Sequence, residues 1–434
     1  MNIMDKRISI SLAGDILLAR RLPNLDKSSS LKAISRILNA QDCRFGNLET
    51  TVHRREGYPE MFPGGCYAMT DPFCLNDLQE LGFNVYNTAN NHSMDYGHGG
   101  LLATLRHLDE LGIPHCGTGK NLSDASLPAR VECPNGRVAI IGVTSSFHDS
   151  YAAGPQNQDL QGRPGVAPLR HKTVYELDEK NFDDLTRIAT LTGINSYHDQ
   201  ARKEGYLPYE DTFKFGTFNF RKGETTKVVT TPNPQDLKRT LDAVKDAKLY
   251  NDVVIVSIHS HQFKGLNKIT VPDFIRIFAH ECVDAGADIV VCHGPHVMRG
   301  IEVYNKAFIF HGLGNFILQN ETLAVVAEEQ YWKSNTTRQE STGVGGLFHL
   351  RSRGGKVGLV ADPDCWESFF VTIDWTTEKM EAILYPINIC VDKNNGLPSL
   401  SESTEILEKI ELLSQEWNTD IIIKDGRGTV VVNK

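Results

Sequence analysis

Seven side chains of the types that grip a divalent cation each follow an apolar, β-branched run. Asp15 follows ISISLAG, Glu49 follows CRFGNL, Asn91 and His92 follow NVYNTAN, His259 follows VVIVSI, and His293 and His296 lie in VVCHGPH. Imidazole nitrogens suit zinc, iron or manganese, carboxylates neutralise the dication and can bridge two of them, and a carboxamide oxygen completes coordination without adding charge. Such a centre lowers the pKa of water and stabilises charge on an attacked oxygen, which is the chemistry of ester, amide or phosphate hydrolysis. Each residue also has a plainer reading: a lone His satisfies local hydrogen bonds, and a strand-end Asp or Glu caps a helix or shapes a turn. Their recurrence after nearly every predicted central strand points instead to one shared site, which without a metal would be a polar cleft.

The elements that must position them are legible as alternation. Ile8 to Leu12, Cys43 to Leu48, Asn84 to Thr88, Val138 to Val143, Val253 to Ile258 and Asp288 to Cys292 read as buried strands. Between them lie helical patterns. Gly99 to Leu111 puts Leu101, Leu102, Leu105 and Leu108 on one face, and Pro272 to Ala285 starts with Pro at a first helical position and stops at Gly286. The fold class is therefore α/β, with ligands expected at the carboxyl ends of the strands, where Gly14 lets the chain turn and project Asp15. Residues 147–227 are rich in Gly, Pro, Asn, Asp and Tyr, with only a few helical turns near Asn181 to Thr192, and read as a lid-like insertion over the site. Residues 365–434 supply two strand-like runs flanking TTEK, a helix from Ser401 to Trp417 and a hairpin turning at Asp425 to Gly428, which complete the same domain.

Composition narrows the function. With 434 residues, 40% hydrophobic content and a net charge of -9, the chain can bury a large core and has no overall field for nucleic acid or anionic membrane. An anionic substrate must be held by local groups. The start runs straight into a strand-like segment without the blocks of a signal peptide, and no apolar run is long enough to span a bilayer, so a cytoplasmic protein without nucleic-acid or membrane partners is expected. Nine scattered cysteines without a Cys-x-x-Cys pair fit reduced thiols, and Cys292 reads as a small buried side chain beside His293. Nine of the remaining histidines lack the strand-end setting; His261 and His311 are intermediate cases.

Six ordered segments resemble the CapA family of capsule synthesis or poly-γ-glutamate biosynthesis. They are LAGDILLAR (Leu12 to Arg20), FGNLET (Phe45 to Thr50), NTANNHSMDYG (Asn87 to Gly97), GIPHCGTGKN (Gly112 to Asn121), GRPGVAPLR (Gly162 to Arg170) and HGPHVMRGIEVYNKAFIFHGLGNFI (His293 to Ile317). The resemblance implies one domain over residues 1–434, similar to the calcineurin-type metallophosphoesterases: a four-layer αββα sandwich with a metal centre at the sheet ends. It implies Asp15, Glu49, Asn91, His259, His293 and His296 as ligands, Glu49 as the bridge, and one or two Mn, Zn, Fe or Ca ions. His92 takes the place of the acid or base, with His259 and His296 as further catalytic candidates. Arg20, Asn47, Arg163 and Arg170 are candidates for holding an anionic substrate. Three positions depart from the pattern. Leu17 stands where phosphoesterases carry the His of Asp-x-His, His259-Ser260-His261-Gln262-Phe263 replaces a common His-Trp-Gly, and His311 replaces a frequent Tyr; His261 is accordingly read as a substrate contact or a further ligand, and His311 as a substrate contact.

The leading expectation is a metal-dependent hydrolase of a phosphate or of a peptide or γ-glutamyl amide, acting on a small molecule or peptide. A metal-assisted peptide epimerase, with two histidines removing and returning a Cα proton, is one alternative. A non-catalytic factor in making or exporting an anionic polymer is the other.

Overall fold

Two β-sheets carry the candidate residues. In this computed structural model, residues 6–390 and 396–434 are described. The first sheet has ten strands among those residues, with Arg7–Leu17 at its centre. Cys43–Leu48, then Val85–Asn87, then His115–Cys116 extend it in parallel on one side; Glu367–Thr376, Lys379–Cys390 and Arg427–Asn433 extend it antiparallel on the other. The second sheet has six, in the order Met298–Tyr304, Ala307–Leu313, Ile289–His293, Val253–His259, Gly136–Thr144 and Ala129–Cys133. Its four inner strands are parallel.

The continuous apolar runs read as strands are buried on both faces, as parallel strands covered on two sides require. Ile10, Leu12, Phe45 and Val85 of the first sheet share one core cluster with Ile140, Ile255, Val291 and Phe310 of the second. The opposite face of the second sheet, Val254, Val256 and Ile258, packs on Val244 of the helix Pro234–Tyr250 and on Phe274 and Phe278 of Asp273–Asp284. On the first sheet, Ala13, Ile16, Leu48 and Tyr86 meet Leu31, Ile34 and Leu38 of Ser29–Asn39 and Leu75, Leu78 and Leu81 of Phe73–Leu81.

Register then sets the site. In the first sheet Asp15 pairs with Asn47 on one side and Asn315 on the other, and Asn47 pairs with Asn87. In the second, His259 pairs with His293 and with Thr144. Each sheet thus ends in a row of polar side chains.

Several expectations change in detail. The first strand does not turn at Gly14; it runs to Leu17, and its register slips on both sides of Asp15. Gly14 is needed for contact, because a Cβ there would lie 1.9 Å from the carbonyl oxygen of Gly314. Leu102 is 37% exposed and leaves the buried face of the helix Gly97–Glu110 to Leu101, Leu105 and Leu108. Pro272 is the N-cap of its helix, not its first residue. The helix expected over Ser401 to Trp417 is split into an α-helix, Glu405–Ser414, and a 3-10 turn, Gln415–Trp417, and Leu397–Leu400 pairs with Lys379–Cys390. The hairpin turns on Asp425 and Gly426, both at positive φ.

The 147–227 stretch is more regular than its composition suggests. It holds the helices Glu179–Thr192 and Ser196–Lys203 and most of a separate four-stranded sheet: Phe213–Phe215, Phe218–Lys222, His171–Leu177 and Lys227–Pro232. Those strands are largely half-buried or exposed and so lack the apolar runs that signal a strand. No helix among the described residues is long and apolar enough to cross a membrane. Cys292 is buried.

Candidate metal centre

The two polar rows meet across the gap between the sheets. Asp15, Glu49, His259 and His293 are fully buried, and His92 and His296 nearly so. Among the described residues, three groupings have donor atoms close enough together to hold a cation: Asp15 with His259 and His293; Asp15 with Glu49 and His296; and Glu49 with His259 and His261.

The Asp15 side is well supplied with hydrogen bonds. Asn87 donates Nδ2–H to Asn47 Oδ1 at 3.1 Å, and Asn47 donates Nδ2–H to Asp15 Oδ1 at 2.8 Å. The Gly294 N–H reaches Asp15 Oδ2 at 3.0 Å. Burial works against the charged form of Asp15, but the imidazoles of His259, His293 and His296 outweigh it and hold the carboxyl well below the usual carboxylate range. His259 Nδ1 lies 3.0 Å from His293 Nδ1, whose Nε2 is 2.8 Å from Ser257 Oγ. Asn47 Nδ2 also lies 3.2 Å from His259 Nδ1, so that nitrogen is engaged from two sides and His259 Nε2 is the ring atom turned towards Glu49.

The Glu49 side is not satisfied. Neither Glu49 oxygen has a hydrogen-bond partner among the described residues, nor do His259 Nε2, His261 Nε2 or Asn91 Oδ1. Glu49 Oε1 is 3.7 Å from His259 Nε2, 3.8 Å from His261 Nε2 and 3.9 Å from His296 Nε2. His296 Nδ1 lies 2.8 Å from Asn315 Oδ1, and Asn315 Nδ2 donates to the carbonyl of Cys365, so His296 carries its proton on Nδ1 and presents a free Nε2. His296 is held at φ 62°, a left-handed conformation unusual outside glycine. Asn91 donates Nδ2–H to the Gly64 carbonyl at 2.7 Å, which turns its oxygen away from that bond. Burial pushes the Glu49 carboxyl well up and the four imidazoles down, His293 to about 3. Buried, partnerless acceptors around one carboxylate are what a divalent cation satisfies, so these residues fit one.

His92 stands apart from the three groupings. Its Nδ1 is 2.6 Å from Asp95 Oδ2, and Asp95 also accepts the N–H groups of Gly64 and Ala68 at 2.8 and 2.7 Å. His92 and His296 line a cleft of about 230 Å³ walled by Leu17, Gly64 to Cys66 and residues between Asn320 and Val360. No residue of the 147–227 stretch lines that cleft. His171, Thr173 and Tyr175 instead border a separate cavity of about 570 Å³ that reaches His261.

Five expected substrate contacts have other partners. Asn47 is buried and holds Asp15. Arg20 donates Nε–H to the Thr322 carbonyl, Arg163 clamps the Ala152 carbonyl, and Arg170 is paired through both branches with buried Asp236. His311 is buried against Glu302, 2.9 Å away, and stacks on Trp417. His261 alone of the six joins the cluster. The sequence reading missed Asp95, Asn315 and Ser257, which fix the imidazoles, and Arg351, which lines the cleft; of these only Asp95, three residues after His92, carried a local signal.

The buried histidines predict an acid limit. Burial lowers His53 to about 4 and His293 to about 3, while an unfolded His titrates near 6.5. Below about 6.5 the unfolded chain binds protons that the folded one refuses, so stability is complete above that pH and is lost as pH falls towards 4. Glu49, raised, acts in the opposite sense from about 4.5 upwards in metal-free protein. In metal-free Glu49→Gln, which removes that opposing group, Tm is expected to be level above pH 7 and to fall between pH 6.5 and 4. Equal values at pH 7 and 5 would contradict the burial argument.

Comparison with known proteins agrees with the motif reading. Residues 9–320 match the family described as bacterial capsule synthesis protein PGA_cap. The uncharacterized protein y4sH of Sinorhizobium fredii is 32% identical over 99% of this chain and 94% of its own length. The PGA biosynthesis protein CapA of Bacillus subtilis is 26% identical over 72% of this chain and 64% of its own. The capsule biosynthesis protein CapA of Bacillus anthracis is 24% identical over 81% and 66%.

Proposed function

Because this chain belongs to the PGA_cap family of bacterial capsule synthesis proteins, we propose that it is a metal-dependent hydrolase of a phosphate or of a peptide or γ-glutamyl amide. The observation that carries this reading is a buried carboxylate without a hydrogen-bond partner among the described residues, Glu49, 3.9 Å from the His296 that lines one cleft with a positioned His92. The order of helices, sheet, sheet and helices in the core clusters supports reading the fold as a four-layer αββα sandwich. A divalent cation would be held by the groupings of Asp15, Glu49, His259, His261, His293 and His296 described above, and would supply Lewis acidity and a nucleophilic water near neutral pH.

The protein's own groups do the rest. Asp95 accepts the Nδ1–H of His92 and fixes the ring, so Nε2 is the atom that exchanges protons with the reaction: as a bare nitrogen it takes one from the nucleophile, and when the ring carries both protons it gives one to the leaving oxygen or nitrogen. Burial of the imidazoles keeps them neutral and available as donors of lone pairs. Asn47 and Gly294 keep Asp15 oriented beneath His259 and His293.

The test is turnover of p-nitrophenyl phosphate, γ-glutamyl p-nitroanilide and glutamyl peptides by protein loaded with manganese, zinc or iron. Metal-dependent product release that is abolished by chelation is the expected result. The names of the relatives favour a second reading, a non-catalytic role in polymer synthesis; metal-loaded protein that binds glutamyl oligomers without turning any over would establish it. Exchange of a Cα proton for deuterium with connectivity intact would show epimerisation instead.

A further inference from the structure

We infer that His261 is a metal ligand of this chain, held at the centre by the buried guanidinium of Arg299. The inference rests on the metal-site reading above and decides for the cation at a residue that sequence leaves open between ligand and substrate contact.

The orphaned acceptors lie on one side of the cluster. Glu49 Oε1 is nearly equidistant from the Nε2 atoms of His259, His261 and His296, at 3.7, 3.8 and 3.9 Å. The Nε2 atoms of His259 and His261, like both Glu49 oxygens, are buried and without partners among the described residues. Donors about 2.1 Å from one ion lie about 3.0 Å apart at right angles and about 3.4 Å apart in a tetrahedron, so each spacing from Glu49 to an imidazole is within about half an ångström of the tetrahedral value. The His261 ring packs edge-on against His296, with centroids 5.1 Å apart, and against His259 at 5.0 Å. Its side chain is 34% exposed, so it forms the open flank of the centre.

A ligand on a loop needs a second set of contacts to fix it. Arg299 is 1% exposed and has no carboxylate partner among the described residues; its Nε–H and Nη2–H donate to the carbonyls of Lys268 and Gln262, both at 2.8 Å. Burial lowers its guanidinium to about 10, which marks the charge as costly where it sits. Those two carbonyls bracket the loop that begins at His261. Gln262 adds the other anchor: its Oε1 accepts from Ser145 and Ser260, both at 2.8 Å, and the His261 N–H donates to Ser146 at 2.7 Å. Lysine at 299 has one donor centre and cannot span both carbonyls.

The experiment measures metal affinity by chelator competition, with the absorption spectrum of cobalt-loaded protein, for the full chain, His261→Ala, His261→Gln and Arg299→Lys. His261→Ala is expected to weaken cobalt binding ~100-fold and to change the spectrum, with Arg299→Lys weakening it ~10-fold. Circular dichroism identifies any variant that fails to fold, and His261→Gln, which keeps the side chain polar, serves in its place. If the His261 variants bind cobalt with wild-type affinity and spectrum, the inference is overturned even where KM rises, and the hydrolase reading stands. If the unsubstituted chain binds no metal, both fall together.

Discussion

In His92→Ala, bound metal stays at the wild-type level while turnover drops by ~100 to 10,000-fold, the range that a positioned acid or base contributes. The two effects separate because His92 belongs to none of the three groupings able to hold a cation, yet lines the cleft with His296. Removing the ring leaves Asp95 with the N–H groups of Gly64 and Ala68, so the loop keeps its anchor. The space opened faces the cleft and fills with water, which limits the cost to stability. Asp95→Asn reports on the same unit from behind: the ring loses the carboxylate charge, and a carboxamide can turn its Nδ2–H to the ring and select the other tautomer, so kcat falls with KM little changed. Elemental analysis beside single-turnover kinetics checks both. Loss of metal in His92→Ala would make His92 a ligand and remove the only group assigned to proton transfer.

The centre was legible because parallel strands buried on two faces must be apolar until they end, and the first polar residue after such a run sits at the sheet edge. That logic found His259 and His293, which the structure pairs in register, and Glu49. It misplaced the role of Gly14, since the strand passes Asp15 and the glycine answers a contact with Gly314, a residue 300 positions away. Asn315 and Ser257, and the role of Asn47, were beyond such reading for the same reason: each touches a side chain of the cluster through a neighbour that only the sheet order creates. Cationic residues misled in the opposite direction. A guanidinium in a motif can hold a substrate or a loop, and Arg163 and Arg170 hold loops. The walls of the cleft come from the segment between Asn320 and Val360, where short helices with little apolar period gave no signal.

Glu49→Gln separates the two demands placed on the centre. Without metal, the wild-type carboxyl is fully buried and has no hydrogen-bond partner among the described residues, so its charged form costs several kcal/mol of desolvation. A carboxamide has no charge to bury, and its N–H groups can donate to the imidazole Nε2 atoms now 3.7 to 3.9 Å from Oε1. Metal-free Glu49→Gln is therefore expected to melt above metal-free wild type. Adding the cation reverses the order: at a hundred times Kd it stabilises the wild type by about 2.7 kcal/mol and leaves the variant nearly unmoved, because the charge that offset the dication is gone. Thermal melts of both proteins with and without manganese, zinc and iron give four curves whose order tests the account. A metal-free variant less stable than wild type would mean that Glu49 has a partner in solution. A variant stabilised by metal as strongly as wild type would move the cation to Asp15, His259 and His293, the grouping whose carboxylate already accepts two N–H groups.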